Sequence, residues 1–466
     1  MKEYEIKTKV CIVGSGFCGY AAYNKLKSCD VDLILVEGGK EKTPQSDTEQ
    51  NYYKVFTNKL ISFSKKFKIK SKLDPSFRDR KFTLGGSSEC WTGWIKPFEK
   101  STYENYYIED KNQSWGNLRL DQYEKEVLEL LKSPINDFNV KKIANKLNLN
   151  LPKLHKGLNY SGYAWAKENV KLKKYWLKKI NRKLLFNESK NKKDLIVGYK
   201  LFDFLHSNGK IKCLKFIDES INSRLNIEAD YFLLCMGGIE NAKFVNKIID
   251  SLNLKDSISQ YIGNFQEHPH LYNIAHFNKG SNTLPKILTE KINISNKVHS
   301  SFRNGTIKLL ISAWDGPGSP KVTFSVNKNE QNRLTNGIKN FIRMQLGKEI
   351  LPNSDYLISM RCEQTKHQRS KLSFESKKTY LNWKIKDSDF IYYSEYLKKL
   401  GSFLISNKFA KDFSLTSFSK NNYAIPNQIY GGAHHMSTVP FLKNKLLINE
   451  KFQLSALKNI YIVGSS

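Results

Sequence analysis

Two places in this 466-residue chain carry residue types at spacings suited to chemistry. The first is Gly14-Ser15-Gly16-Phe17-Cys18-Gly19, preceded by a β-branched run at 9–13 and followed by a helix-forming stretch at 20–26. Strand, glycine turn and helix in that order make a phosphate cradle. Gly14 permits the tight turn, Gly16 admits a pyrophosphate against the backbone, and Gly19 lets the helix pack on the sheet. The helix N-terminus adds free N–H groups and the positive end of a dipole. A second apolar strand at 31–36 ends at Glu37-Gly38-Gly39, and Glu37 lies 23 residues beyond Gly14, where a carboxylate meets a ribose hydroxyl. The pattern predicts a bound dinucleotide. The carboxylate argues against a 2′-phosphate, whereas NAD and FAD both remain open at this point.

The second place is Gly431-Gly-Ala-His434-His435-Met-Ser-Thr438. Adjacent histidines serve as metal ligands, as packed core imidazoles, or as a base whose pKa lies near working pH. Composition alone favours the first two.

A third segment, Thr83-Leu-Gly85-Gly86-Ser87-Ser88-Glu-Cys90-Trp91-Thr-Gly93-Trp94, combines adjacent glycines that let backbone pass close to a flat ring with hydroxyls that bind a ring edge or a pyrophosphate. With it, the chain resembles the glucose-methanol-choline (GMC) oxidoreductases, in the bacterial sugar-dehydrogenase and pyranose-oxidase-like branch. Further matches follow in the family's order: Ser114-Trp115 with residues 120–123, Tyr231-Phe-Leu-Leu-Cys-Met236-Gly237-Gly238, His268-Pro269, Cys362-Glu363-Gln364, and the His434 segment followed by Asn459-Ile-Tyr-Ile-Val463-Gly464. The resemblance implies FAD as hydride acceptor and a small-molecule alcohol or sugar as donor. It implies His434 as the base that takes the hydroxyl proton, with His435 beside it. As cofactor contacts it implies Gly14, Ser15, Gly16, Phe17, Gly19, Glu37, Gly38, Gly85, Gly86, Ser87, Ser88, Cys90, Trp91, Gly237 and Gly464. Cys90 stands where some members carry a histidine bonded covalently to FAD, and Ser437 replaces the usual glycine of the histidine motif.

The elements that must position these residues are of two kinds. An α/β fold is expected, with a discontinuous Rossmann-like FAD-binding domain at 1–100, 190–270 and 425–466. An α+β substrate-binding domain at 101–189 and 271–424 should contain an antiparallel sheet, with strands near 308–311 and 321–326 and a helix near 332–351. In the family, a second catalytic Asn or His follows the last strand. Here the chain stops at Ser466, 32 residues after His434, so that residue and the closing helix are expected to be absent.

Charge supplies the competing expectation. Lys plus Arg is 76 against 44 Asp plus Glu, a formal +32, which favours nucleic acid, anionic lipid or acidic metabolites as partners. The lysines are spread along the whole chain, except where Lys171, Lys173, Lys174, Lys178, Lys179, Arg182 and Lys183 crowd around Tyr175 and Trp176. That run reads as a solvated helix face, or as a footprint with a stacking aromatic. With 40% apolar residues the chain has too much core material for a disordered basic tail. Seven cysteines without a Cys-x-x-Cys pair, no signal segment and no membrane span indicate a cytoplasmic protein without a metal site. No nucleic-acid partner is expected from the main reading. The alternatives are a catalytically inactive FAD-binding fragment and a basic nucleic-acid or anionic-surface binding protein. The substrate's identity stays open, as does whether oxygen, a quinone or a protein takes the electrons.

Overall fold

The structure is a computed structural model that describes residues 2–40, 53–55, 61–62, 70–74, 81–97, 123–166, 172–179, 194–254, 262–313, 320–326, 354–375, 378–415, 428–432, 434–439, 447–449 and 451–464. In chain order, the elements that position the site begin with β1 (Lys2–Val13), α1 (Phe17–Ser28), β2 (Leu33–Glu37) and β3 (Lys70–Asp74). Then come β4 (Asn159–Ala166), α2 (Leu172–Lys179), β5 (Leu195–Val197), β6 (Lys200–Ser207), β7 (Lys210–Asp218), β8 (Ser223–Leu234) and α3 (Gly237–Ser251). The rest comprises β9 (Pro269–Phe277), β10 (Ile292–Ile294), β11 (Gly305–Ser312), β12 (Pro320–Val326), β13 (Tyr356–Cys362), α4 (Asp387–Ser406), β14 (Gln428–Gly431) and β15 (Ile460–Ile462).

The first sheet runs β5-β2-β1-β8-β7-β6, with β15 also paired to β8. Strands β5, β2, β1, β8 and β15 are parallel, while β7 and β6 add an antiparallel edge. Every residue of β2 is buried, as a central parallel strand covered on both faces requires. Val13 stands opposite both Val36 and Leu234, so β1 and β8 end level with each other. Their two glycine turns are therefore neighbours: a Cβ on Gly14 (φ +103°) would lie 2.6 Å from the Cys235 carbonyl oxygen. At Gly19 a Cβ would sit 1.9 Å from the Gly14 carbonyl oxygen, so only glycine lets α1 approach this closely.

The second sheet runs β10-β11-β12-β13-β9-β14-β3, with β4 also paired to β11. Its described ladders along this order are antiparallel except β14 with β3. Side chains alternate between faces along each strand. Ile307, Leu309, Ile311, Val322, Phe324, Ile358, Met360, Cys362 and Leu271 point one way and are at most 1% exposed. They share one apolar cluster with Phe390, Tyr393, Leu397, Leu400, Phe403 and Leu404 of α4. The Tyr396 hydroxyl donates to the Ile311 carbonyl (2.7 Å), so its polar end is satisfied inside that core. Full burial of each large apolar side chain contributes about 1.5–3 kcal/mol, so this face holds the sheet. The opposite face is free for polar residues. Register brings Lys308 opposite Tyr163, Lys321 opposite Arg361, and His270 opposite both Arg361 and Tyr430 on that face.

Among the described residues no helix is long and apolar enough to cross a membrane. All seven cysteines are thiols. The helix expected near 332–351 lies outside the described residues, as do residues 114–115 and 120–122.

Candidate active site

The first glycine turn is closed from within. Ser15 donates its N–H (2.9 Å) and its hydroxyl (2.6 Å) to Glu37 Oε2, and Gly39 N–H donates to Oε1 (2.7 Å). Burial raises the Glu37 pKa, opposed by these hydrogen bonds. The carboxylate expected at a ribose hydroxyl is thus turned inward, because a buried carboxylate without such partners would cost several kcal/mol. Ser15 Oγ in turn accepts the Gly85 N–H (2.8 Å), and its carbonyl accepts the Trp176 indole N–H (2.9 Å). The space above the turns stays open. Among the described residues, a Cβ on Gly16 or on Gly237 (φ +80°) meets no atom within 4 Å, and neither α1 nor α3 has a side-chain cap at its start. Two helix N-termini therefore offer N–H groups to an anion at the adjacent ends of β1 and β8. Gly464, just past β15, reaches the same turn, where its Cβ position lies 3.3 Å from Cys18 Sγ.

The segment at 83–94 crosses from this turn to the second sheet. Gly85 and Gly86 have φ of +87° and +53°, and a Cβ on Gly86 would lie 3.6 Å from Gly16 Cα. Ser88 is spent elsewhere: its hydroxyl donates to the Gly85 carbonyl (2.7 Å) and accepts the Leu172 N–H (3.3 Å). Together with Glu89 Oε1, which accepts the Lys173 N–H (3.0 Å), it caps α2. The Ser88 side chain expected against pyrophosphate or flavin is therefore a structural cap, whereas Ser87 is exposed. The Cys90 thiol donates to the Ser87 carbonyl (3.3 Å), and Trp91 packs edge-on against Phe17 with ring centres 5.0 Å apart. Ile95 then bridges Ala164 of β4.

Helix α2 carries the aromatic pair of the basic run. Trp176 is fully buried against Tyr23, and the Tyr175 hydroxyl donates to Asn24 Oδ1 (2.6 Å). Trp176 accordingly fastens α2 to α1 and has no free face on which a base could stack. Lys171, Arg182 and Lys183 lie outside the described residues, as do the side chains of Lys178 and Lys179.

The histidines converge through Glu267. Its Oε1 accepts the backbone N–H of His268 (2.9 Å) and of His434 (2.8 Å), and its Oε2 lies 3.3 Å from His435 Nε2. Glu267 is completely buried, which pushes its pKa up to about 7. His435 is buried and faces Phe265, so the second histidine is an internal support. His434 is accessible to solvent, with the His268 ring on one side of it. Burial, and then repulsion from His268, push its pKa down to about 4, leaving it neutral at pH 7. The His268 ring meets His434 at 4.9 Å, and its Nδ1 lies 3.0 Å from Glu363 Oε2. Burial opposes protonation of His268, but Glu363 outweighs it and raises the pKa. Burial alone would raise Glu363, yet His268 and Lys321 hold it down at about 2. The result is a His268–Glu363 pair standing beside a neutral, accessible His434 imidazole.

The 434–438 segment also reaches the cofactor turns. A Cβ on Gly238 would lie 2.5 Å from the His435 carbonyl oxygen, and the Thr438 hydroxyl donates to the Gly238 carbonyl (2.6 Å). Ser437, in place of the usual glycine, adopts φ +63° and bonds Gln266 Oε1 through its hydroxyl. Sequence reading left Glu267, Glu363, His270 and Arg361 without roles. The signal was present in Glu267-His268-Pro269-His270, where the two histidines stand two residues apart at the start of β9.

No protein-family model matches the chain. No curated protein matches it either. Solved structures do match. One is a pyridoxine 4-oxidase from Mesorbium loti, with a TM-score of 0.54 and 13% identity over 98% of this chain and 94% of that one. Another is a formate oxidase from Aspergillus oryzae RIB40, studied for FAD modification, with a TM-score of 0.53 and 14% identity over 98% of this chain and 93% of that one. At such identities the likeness is one of fold, and it extends over nearly the whole of each chain.

Proposed function

We propose that this protein is an FAD-dependent oxidoreductase that oxidises the CH–OH group of an alcohol or sugar, with His434 accepting the hydroxyl proton. The observation that carries the reading is a neutral, accessible His434 fastened beside paired glycine turns whose Cβ positions at Gly16 and Gly237 are open. Those residues fit the cofactor: the α1 and α3 N-termini would take the pyrophosphate, and Gly85, Gly86 and Gly464 keep backbone low beneath a flat group. When bound, FAD supplies the acceptor for the hydride. The chain's own part is to orient the alcohol and remove its proton. His434 does this because an imidazole is unprotonated at pH 7 when its pKa lies near 4. Glu363 holds the His268 ring in place against that of His434, and so helps to fix the position of the base.

On this reading 1–100, 190–270 and 425–466 form the cofactor-binding unit, and 101–189 and 271–424 the substrate-binding unit. Strands β3 and β14 reach into the second sheet and tie the two together. The thiol state of all seven cysteines supports a cytoplasmic location.

The test is anaerobic bleaching of the FAD-loaded protein by a panel of alcohols and sugars. His434→Ala should keep FAD and lose bleaching by about 10²–10⁴-fold. Bleaching at an undiminished rate in that variant would remove His434 from the reaction.

A further inference from the structure

We infer that the substrate is an alcohol carrying a second, anionic group, a carboxylate or a phosphate, which Arg361 and Lys291 hold over the Trp94–Trp165 aromatic pair. The inference deepens the oxidoreductase reading, because the proposed anion subsite lies on the sheet face of His270, near the His268–His434 contact.

The polar face of the second sheet supplies the geometry. Trp94 packs against Trp165 with ring centres 4.7 Å apart and against Tyr163 at 5.2 Å. The Arg361 guanidinium lies 4.2 Å from the centre of the Trp94 ring, and the Lys291 ammonium 4.1 Å from that of Trp165. Lys308, 9% exposed, stands opposite Tyr163 on the same face and donates to the Thr289 carbonyl (2.9 Å). Arg361 and Lys291 thus share an aromatic floor with Lys308 beside them, and no carboxylate among the described residues forms an ion pair with Arg361, Lys291 or Lys308.

Electrostatics gives the gathering a purpose. Burial and mutual repulsion lower the pKa of Lys291 and bring that of Lys308 down to about 8, and burial lowers that of Arg361. Contact with an aromatic face attracts each cation without cancelling its charge. Like charges held close in a partly desolvated place are unfavourable alone, and an anion bound among them relieves the repulsion. Arg361 presents a planar fork suited to carboxylate and phosphate oxygens. The diffuse +32 of the whole chain does not by itself set an arginine and a lysine on adjacent tryptophan rings.

Position links the subsite to the reaction. His270, two residues beyond His268, stands directly opposite Arg361. One strand spacing across and two residues along place Arg361 on the order of 10 Å from the His268–His434 contact. A molecule with its hydroxyl at His434 and its anionic oxygens at Arg361 therefore needs a spacer about the size of one ring. The 86–95 segment joins the ends, with Trp91 against Phe17 of α1 and Trp94 under Arg361.

The experiment compares matched ligands that differ in charge: 4-(hydroxymethyl)benzoate against its neutral amide, and glycerol 3-phosphate against glycerol. Binding is read by quenching of tryptophan fluorescence, which requires no flavin, and reaction by anaerobic flavin bleaching. In at least one pair the anion should bind about tenfold or more tightly, a preference that names carboxylate or phosphate. Arg361→Gln should erase the preference and Arg361→Lys restore part of it. Lys291→Gln, at an exposed position that leaves folding intact, should reduce it about threefold or more. Equal affinity for both members of both pairs would overturn the anion subsite while leaving the flavin reading untouched. Anion preference in a protein that never takes up FAD would keep the subsite and overturn the flavin reading.

Discussion

On the proposed reading, the glycine turn after β1 and the polar face of the second sheet hold their ligands by opposite means. The turn is local: residues 2–39 supply two strands, a helix and the carboxylate that closes the loop. Its specificity is steric, set by what lies within 3 Å of an added carbon. The histidine and cation face is assembled from residues as distant as Trp94, His268, Arg361 and His434, and its specificity is electrostatic. Backbone geometry therefore governs the first region, and partly buried charges, paired at His268–Glu363 and unpaired at Arg361 and Lys291, govern the second.

Glu267 gives the largest expected effect. Replacing it by Ala orphans two backbone N–H donors and leaves His435 without its acid, at a cost of about 3–5 kcal/mol and with loss of activity. Denaturant unfolding measures this, and a cost below about 1 kcal/mol would show that the histidines are held by other means. The milder Glu267→Gln isolates the charge. Because burial raises the Glu267 pKa to about 7, its contribution to stability is complete below about 4.5 and is lost as pH rises through about 7. The thermal midpoint of the parent should therefore fall relative to Glu267→Gln between pH 5 and pH 8. A pH-independent difference between the two proteins would refute the buried-acid assignment.

The glycine region is probed by two neighbouring substitutions with different outcomes. Gly19→Ala forces a carbon to within 1.9 Å of the Gly14 carbonyl oxygen and should destabilise the protein by about 3 kcal/mol. Gly16→Val meets open space, so the apo-protein should keep its stability to within about 1 kcal/mol while FAD uptake falls at least tenfold. Similar effects of both on stability would mean that no ligand space exists above Gly16. The smallest effect is expected at Ser437→Gly. Relief of the left-handed conformation, about 1–2 kcal/mol, is offset by loss of the hydroxyl bond to Gln266, about 1 kcal/mol, so stability should change by less than about 1 kcal/mol.

The same contrast explains what could be read from the sequence. Gly14, Gly16, Gly19 and Gly237 were legible because each answers a local demand of a strand-turn-helix unit. The spacing of Glu37 was legible too, but not that Ser15 would capture its carboxylate. Ser88 carries a turn signal in its own segment, yet its partner N–H at Leu172 lies 84 residues away, and nothing local encodes that pairing. His434 stood out through its motif. Glu267, Glu363 and Arg361 did not, because their meeting depends on the register of β9, β13 and β14, which is set by burial of the opposite face. Tyr175 and Trp176 raised the idea of a stacking platform, since a sequence does not distinguish an aromatic that packs on α1 from one that faces solvent.

The central claim, a flavin seated on the paired glycine turns beside His434, is tested most directly by the visible absorbance of the protein after incubation with FAD and gel filtration. The account predicts a flavin band that travels with the parent and with His434→Ala and is lost or greatly reduced in Gly16→Val. A folded parent that emerges colourless, or a Gly16→Val variant that retains as much flavin as the parent, would contradict it.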